Sequence, residues 1–242
     1  MNAVLAIALA LTGAAWAQES AKPAALTVEQ IMDKSIEALG GRAALEKITS
    51  TVIKSKIDVT FAGLTASSVI YMKAPDKRAS VTTVDGYGQI KEGCDGSIAW
   101  NETPDGGFQE FSGERLLQAK RLAVFQPELR WREIYPHAEV KGKEVLDGRE
   151  AWVLTLFPKS GKPVTEYIDA ETFLPVKNVV PIIDDQGEYD VTTELSDFRE
   201  VQGVKFPFTI RQSTAMGDLI IEVTEINNNV PIEDTVFAKP SK

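Results

Sequence analysis

From residue 138 onward the chain is a series of strand-like segments joined by short turns. The turns carry a Gly after Asp, Ser, Gln or Met, at 147–148, 160–161, 202–203 and 216–217. Parallel strands need a crossover connection of about a dozen or more residues. Only antiparallel pairing is compatible with such short connections. The second half of the chain therefore predicts one meandering antiparallel sheet.

The first half adds two helices and further strands. Thr27 and Gln30 have the spacing of a capping box, and Gly40-Gly41 ends a helix predicted over 27–39. A shorter helix follows through Leu45 and Ile48, and a second long helix is predicted over 112–125 after a loop at 103–107. The strands are predicted over 51–61, 65–73, 78–84, 89–92, 97–101, 138–146, 149–157, 164–169, 174–183, 188–199, 204–213 and 219–226.

These twelve strand segments and two long helices predict a mainly β (α+β) fold. Twisted antiparallel sheets of about this size curl or close on themselves. We therefore expect a strongly curved antiparallel sheet or half-barrel, with the helices over its concave side.

The first 17 residues have the composition of an export signal. Residues 3–15 carry no charge, and Ala15-Trp16-Ala17 fits the small-x-small cleavage pattern. The apolar run is shorter than the ~20 residues that cross a bilayer, which disfavours an uncleaved anchor. We predict cleavage near Ala17, a linker over 18–26, and a periplasmic or secreted protein that does not span the membrane once mature.

Composition excludes several classes of function. The 35 acidic residues outnumber the 26 basic ones, and the net charge of -9 opposes binding to nucleic acid or to anionic lipid surfaces. A zinc site built from Cys and His is excluded because Cys94 and His137 are single. Neither residue has a motif that would activate it. An acidic turn at 184–190 is interpreted as a turn and not as a calcium site, so we predict no catalytic residue, metal or cofactor.

Apolar side chains on the strand faces form the candidate binding site. A curved sheet covered by two helices leaves a concavity lined by alternate strand residues, which is typical of a pocket for a hydrophobic ligand. The phase of each strand stays open, because a slip of one residue turns the other face inward. The predicted lining is Tyr71, Trp100, Trp152, Leu154, Leu156, Tyr189 and Val191, with Leu116 and Leu117 from the second helix.

Three stretches resemble a known family: 37–41; 71–77 with 95–100; and 150–157 with 166–169, 174–176, 197–199 and 204–207. They are similar to the exported outer-membrane lipoprotein-sorting proteins, which are related to the lipoprotein carriers LolA and LolB. The resemblance spans nearly all of the mature chain. It implies one domain over 27–242, an incomplete β-barrel with a helical lid over a hydrophobic cavity. In the carriers that cavity shields the acyl chains of lipoproteins.

The resemblance implies a periplasmic, non-catalytic carrier for a lipid or an acylated lipoprotein. Two other hypotheses stay open. The same fold serves as a sensory or protein-interaction module in envelope-stress signalling, with an envelope protein as partner. The third hypothesis is a hydrolase with a dispersed carboxylate site, which a cluster of perturbed carboxylates in one cleft would favour.

Overall fold

The structure is a computed structural model that describes residues 26–184 and 187–240. The predicted signal over 1–17 and the predicted linker up to residue 25 lie outside the described residues. Within those residues, thirteen strands form a single sheet, and every strand pair is antiparallel. The predicted mainly β fold class is confirmed, with one strand more than the twelve predicted segments.

The helices are short and the strands are long. The helices are α1 (Val28–Ala38), α2 (Arg42–Leu45), α3 (Gly113–Leu122) and α4 (Trp131–Ile134), with a 3-10 turn at Asp234–Val236. The strands are β1 (Ser50–Val59), β2 (Leu64–Lys73), β3 (Lys77–Val84), β4 (Gly88–Cys94), β5 (Ala99–Thr103), β6 (Gly107–Glu110), β7 (His137–Leu146), β8 (Arg149–Phe157), β9 (Val164–Asp169), β10 (Pro175–Asp184), β11 (Gly187–Val201), β12 (Val204–Thr214) and β13 (Gly217–Asn228).

The sheet is open at both ends. Its order is β6-β5-β4-β3-β2-β1-β13-β12-β11-β10-β9-β8-β7, so β1 and β13 join the two halves of the chain near its middle. The terminal strands β6 and β7 each pair on one side only. A twisted sheet of this length curls instead of staying flat. The result is the predicted incomplete β-barrel.

The first helix begins as predicted. The Thr27 hydroxyl accepts a hydrogen bond from the Gln30 amide at 3.3 Å, and the Gln30 side chain accepts one from the Thr27 amide at 2.9 Å. Ile31 and Met32 are buried in a cluster with Leu154 of β8. This contact places α1 on one face of the sheet, which we call the inner face.

Three elements differ from the predictions. Strand β6, between the predicted loop and the predicted helix, was not predicted. All four of its residues are exposed, and its sequence has no alternation of apolar and polar residues. Helix α3 ends at Leu122 and not at 125, because the Phe125 amide leaves the helix to donate to the Pro75 carbonyl at 3.0 Å. The single-turn helix α4 was not predicted, since one turn is too short for a helical period.

Candidate functional site

A continuous row of side chains crosses the inner face of the sheet. Residues that pair across antiparallel strands lie on the same face. Starting from Leu154, the register leads through eight strands by way of the following residues: Glu166, Asn178, Thr193, Gln212, Leu219, Val59 and Leu64. This row defines which residues of each strand face the concavity.

Helix α3 spans the concavity between distant parts of the sheet. Leu116 packs against the buried cluster of Cys94 and Ala99, on β4 and β5. At the other side, the Gln118 side chain donates to the Pro181 carbonyl at 3.4 Å and accepts from the Ile183 amide at 3.2 Å, both on β10. The helix therefore lies across the open side as a lid.

The loop after α3 closes one end of the concavity. Gln126 donates to the Leu45 carbonyl at 2.6 Å, and Arg130 donates to the Pro75 carbonyl at 3.0 Å. Beneath this loop is a cavity of about 240 Å³. Its lining is mainly apolar and includes Leu39, Ile48, Ile53, Met72, Leu195 and Phe206. A cavity of this kind is somewhat smaller than the roughly 300 Å³ at which typical ligand pockets begin.

Five of the nine predicted lining residues come from the inner face of the sheet. Trp152, Leu154 and Leu156 belong to, or pack against, the cluster that buries α1. Val191 pairs with Val180, and Tyr189 pairs with Ile182, both on the inner face of β10. On the lid, Leu116 packs inward, whereas Leu117 is 46% exposed. None of these seven residues lines the 240 Å³ cavity.

The structure separates Tyr71 and Trp100 from the other predicted residues. Tyr71 pairs with Ala79, Ala79 with Gly93, and Gly93 with Trp100, all on the outer face. The chain after β13 covers them, with Ile232 and Phe237 in the cluster that Tyr71 joins. The Trp100 indole donates to the Phe237 carbonyl at 3.3 Å. We leave both residues out of the proposed lining because the outer face carries its own cover.

Two carboxyl groups near the cavity had no signal in the sequence. Glu128 lines the cavity, and Glu166 lies in the inner-face row between Leu154 and Asn178. Burial raises the pKa of both groups, and repulsion by Glu128 adds to the rise of the Glu166 pKa to about 8. Neither has an ion-pair partner among the described residues. The sequence did not predict a role for these two residues, because acidic residues on strands and loops are common.

The residues considered for catalysis lie apart. Cys94 is buried, and burial raises the pKa of its thiol, which disfavours the nucleophilic thiolate. His137 is exposed at the start of β7 and lies 3.0 Å from the Glu139 carboxylate. Across residues 26–184 and 187–240, no three His, Cys, Asp or Glu side chains are grouped as metal ligands would be.

Comparison with known proteins identifies the fold. Neither a family model nor a curated protein matches the sequence. Among solved structures, a LolA superfamily protein from Nitrosomonas europaea is similar over 89% of this chain and 99% of its own, with a TM-score of 0.58 and 16% identity. The chain has a LolA-like fold. The resemblance predicted from the sequence is thus confirmed at the level of structure.

Two further structures share the LolA-like fold. A DUF1329 family protein from Desulfovibrio piger has a TM-score of 0.59 and 15% identity over 87% of this chain and 97% of its own. A Vibrio parahaemolyticus domain described as an outer-membrane lipoprotein-sorting protein domain has a TM-score of 0.53 and 14% identity, over 85% and 97%. At such identities the shared property is the fold, and function must be argued from the site. None of the helices in the described ranges is long and apolar enough to traverse a bilayer.

Proposed function

We propose that this chain is an exported, non-catalytic carrier that binds a lipid or a lipid-modified protein of the cell envelope. The single observation that carries the proposal is the apolar cavity of about 240 Å³ on the inner face, beneath the loop that follows the lid. Each buried methylene contributes about 0.8 kcal/mol, so an acyl chain in water needs such a shelter. The LolA-like fold of a lipoprotein-sorting domain supports this assignment by analogy.

The hydrolase hypothesis has less support. A hydrolytic pair needs one carboxyl that is protonated and one that stays ionised, with the pKa values pushed apart. Burial shifts the pKa values of Glu128 and Glu166 in the same direction, upward. Two carboxyl groups with raised pKa values favour the protonated, neutral form, whereas a hydrolytic pair needs one of the two groups to be ionised.

The first test is native mass spectrometry of the mature chain, purified from a bacterial periplasm without detergent. We expect an additional mass that organic extraction identifies as lipid. Leu195 lines the cavity, and its sequence neighbour Glu194 lies on the other face of β11. Leu195→Trp should fill the cavity and lose the bound lipid, whereas Glu194→Trp should retain it.

The opposite result would change the assignment. A clean apo mass, together with no uptake of added phospholipid or acylated peptide, would overturn the carrier. The protein-interaction module would then be the leading function, with the interior filled by side chains alone.

A further inference from the structure

Glu166 is a half-buried carboxylic acid whose neighbours on β9 belong to the main apolar cluster. Its neighbours along the inner face of β9 are Val164 and Ile168, which are 3% and 1% exposed. Both belong to the cluster that also holds α1 and Trp131. Across the sheet, Glu166 lies between Leu154 and Asn178. An ionised carboxyl group in such surroundings destabilises the folded protein unless it is protonated or paired with a polar or charged partner.

No cation within residues 26–184 and 187–240 forms an ion pair with Glu166. The groups that interact electrostatically with Glu166 are Glu128 from the loop and Tyr135 from the end of α4. Arg121 of α3 interacts electrostatically with Tyr135, and its guanidinium donates to the Ser160 carbonyl at 3.2 Å. Because burial raises the pKa of Glu166 to about 8, the group holds a proton at neutral pH. It is then a hydrogen-bond donor as well as an acceptor.

Three other polar atoms of this region are buried without a protein partner. They are the indole nitrogens of Trp131 and Trp152 and the side-chain oxygen of Asn178. Trp131 belongs to the cluster that holds Val164 and Ile168, Trp152 packs against this cluster, and Asn178 is the direct neighbour of Glu166 on β10. An unsatisfied buried group costs roughly 1–3 kcal/mol, so such atoms normally bond to water or to a ligand. Together with the carboxylic acid of Glu166, these atoms indicate a polar binding site.

We propose that this cluster of Glu166, Trp131, Trp152 and Asn178 binds the polar linkage of an amphiphile whose acyl chain occupies the cavity, and that it takes an uncharged, acceptor-rich group such as a glyceryl ester. This inference rests on the proposed carrier function. Two indole N–H groups and a carboxyl O–H are donors, so they complement ester and hydroxyl oxygens. Glu128 and Glu166 disfavour an anionic headgroup, because the charged group that acts on Glu166 is another carboxyl group. The cations Arg132 and Lys143 lie over the rings of Trp131 and Trp152, at 4.4 and 4.8 Å from the ring centroids.

The test compares three probes with the same C16 chain: monopalmitoylglycerol, palmitate and hexadecyltrimethylammonium. Binding of each to the full mature chain is measured by titration calorimetry at pH 7 and pH 9. We expect monopalmitoylglycerol to bind at least about tenfold more tightly than palmitate at pH 7. Because binding uses the protonated carboxyl group of Glu166, the affinity for monopalmitoylglycerol should fall about tenfold between pH 7 and pH 9.

Variants separate the role of the cluster from general folding. Glu166→Gln is isosteric and cannot ionise, so it should keep the preference for the glyceryl ester and lose the pH dependence. Glu144→Gln, on an exposed residue of β7, should behave as the wild type. Trp152→Phe removes one donor and should weaken binding of monopalmitoylglycerol several-fold while leaving that of hexadecyltrimethylammonium unchanged.

The outcomes are distinguishable. Equal affinity for palmitate and monopalmitoylglycerol, or tightest binding of the cation, would overturn the headgroup inference and leave the carrier intact. A pH dependence that persists in Glu166→Gln would likewise overturn it. Binding of none of the three probes would contradict the carrier function itself, and this inference with it.

Discussion

The side-chain amide of Gln118 accepts a hydrogen bond from the backbone N–H of Ile183 at 3.2 Å. Strand β9 pairs with β10 only as far as Val179, so the backbone beyond it has a free edge. Gln118 also donates to the Pro181 carbonyl and is 6% exposed. One glutamine of the lid therefore supplies the two bonds that a longer β9 would make.

Replacement of this glutamine should loosen the lid. Gln118→Leu keeps the volume but leaves the Ile183 amide and the Pro181 carbonyl without a partner. We expect the free energy of unfolding to fall by about 1–3 kcal/mol, and the Ile183 amide to exchange faster with solvent. Urea titration and hydrogen exchange measure the two effects. Leu117→Ala, at the exposed neighbouring position, should change stability by less than about 0.5 kcal/mol; equal effects of both variants would contradict the contact.

A close backbone approach makes Gly40 irreplaceable. Its φ is +129°, and a Cβ there would lie 2.1 Å from the Gly203 carbonyl oxygen. The same contact includes the hydrogen bond from the Lys205 amide to the Leu39 carbonyl at 2.7 Å. Gly40→Ala should therefore destabilise the protein by more than about 4 kcal/mol, or prevent folding, as measured by circular dichroism and urea titration.

Gly63 is the matched control for backbone strain alone. Its φ is +62°, and a Cβ there would meet nothing within 4 Å. Gly63→Ala should cost about 1–2 kcal/mol, the penalty of a left-handed conformation. A loss of similar size in both variants would mean that the approach of Gly40 to Gly203 is not a tight one.

The segment after β13 should be essential for the outer-face cluster. Phe237 is 0% exposed and its carbonyl accepts from the Trp100 indole. We expect Phe237→Ala to lower the free energy of unfolding by about 3–5 kcal/mol and to shift tryptophan emission to longer wavelength. Val236→Ala, next to it and 36% exposed, should have little effect on either measurement. An unshifted emission spectrum in Phe237→Ala would argue against this cover.

Glu166 should make stability depend on pH. Its pKa is about 8 in the folded chain, against the ordinary value of 4.5, so the folded state binds more protons between these limits. The contribution of this group to the free energy of unfolding is therefore fully present below about pH 4.5. It falls by up to about 1.4 kcal/mol per pH unit as the pH rises toward 8. Glu166→Gln should remove this part of the slope and be more stable than the wild type at pH 8. Urea titrations from pH 5 to 9 measure this dependence of the free energy of unfolding on pH, with Glu144→Gln as the control. Identical slopes in the wild type and Glu166→Gln would contradict the raised pKa of a buried carboxyl group.

Local features of the sequence predicted local structure well. The Thr27–Gln30 capping box forms, and Asp147 and Gly148 both have positive φ, as a tight hairpin turn requires. Short turns implied antiparallel pairing, and all twelve strand pairings are antiparallel. These features depend on neighbours within a few residues, so one sequence is enough to identify them.

The assignment of side chains to the two faces needed the tertiary structure. Tyr71 and Trp152 both lie in alternating strands and have similar apolar character, yet Tyr71 packs under the segment near Phe237 and Trp152 packs near α1. Alternation defines two faces without saying which one is inner. The choice depends on which distant segment covers each face.

The chain alone thus determined that there would be a long, curved antiparallel sheet with a capped helix at its start. The tertiary structure decided where α3 docks through Gln118, which strand faces line the cavity, and that Glu166 is buried near Glu128. These properties come from contacts between residues far apart in the chain. Burial and the distance between charges depend on the packed structure. Burial and the nearby carboxyl group of Glu128 raise the pKa of Glu166 to about 8, so Glu166 is protonated at neutral pH.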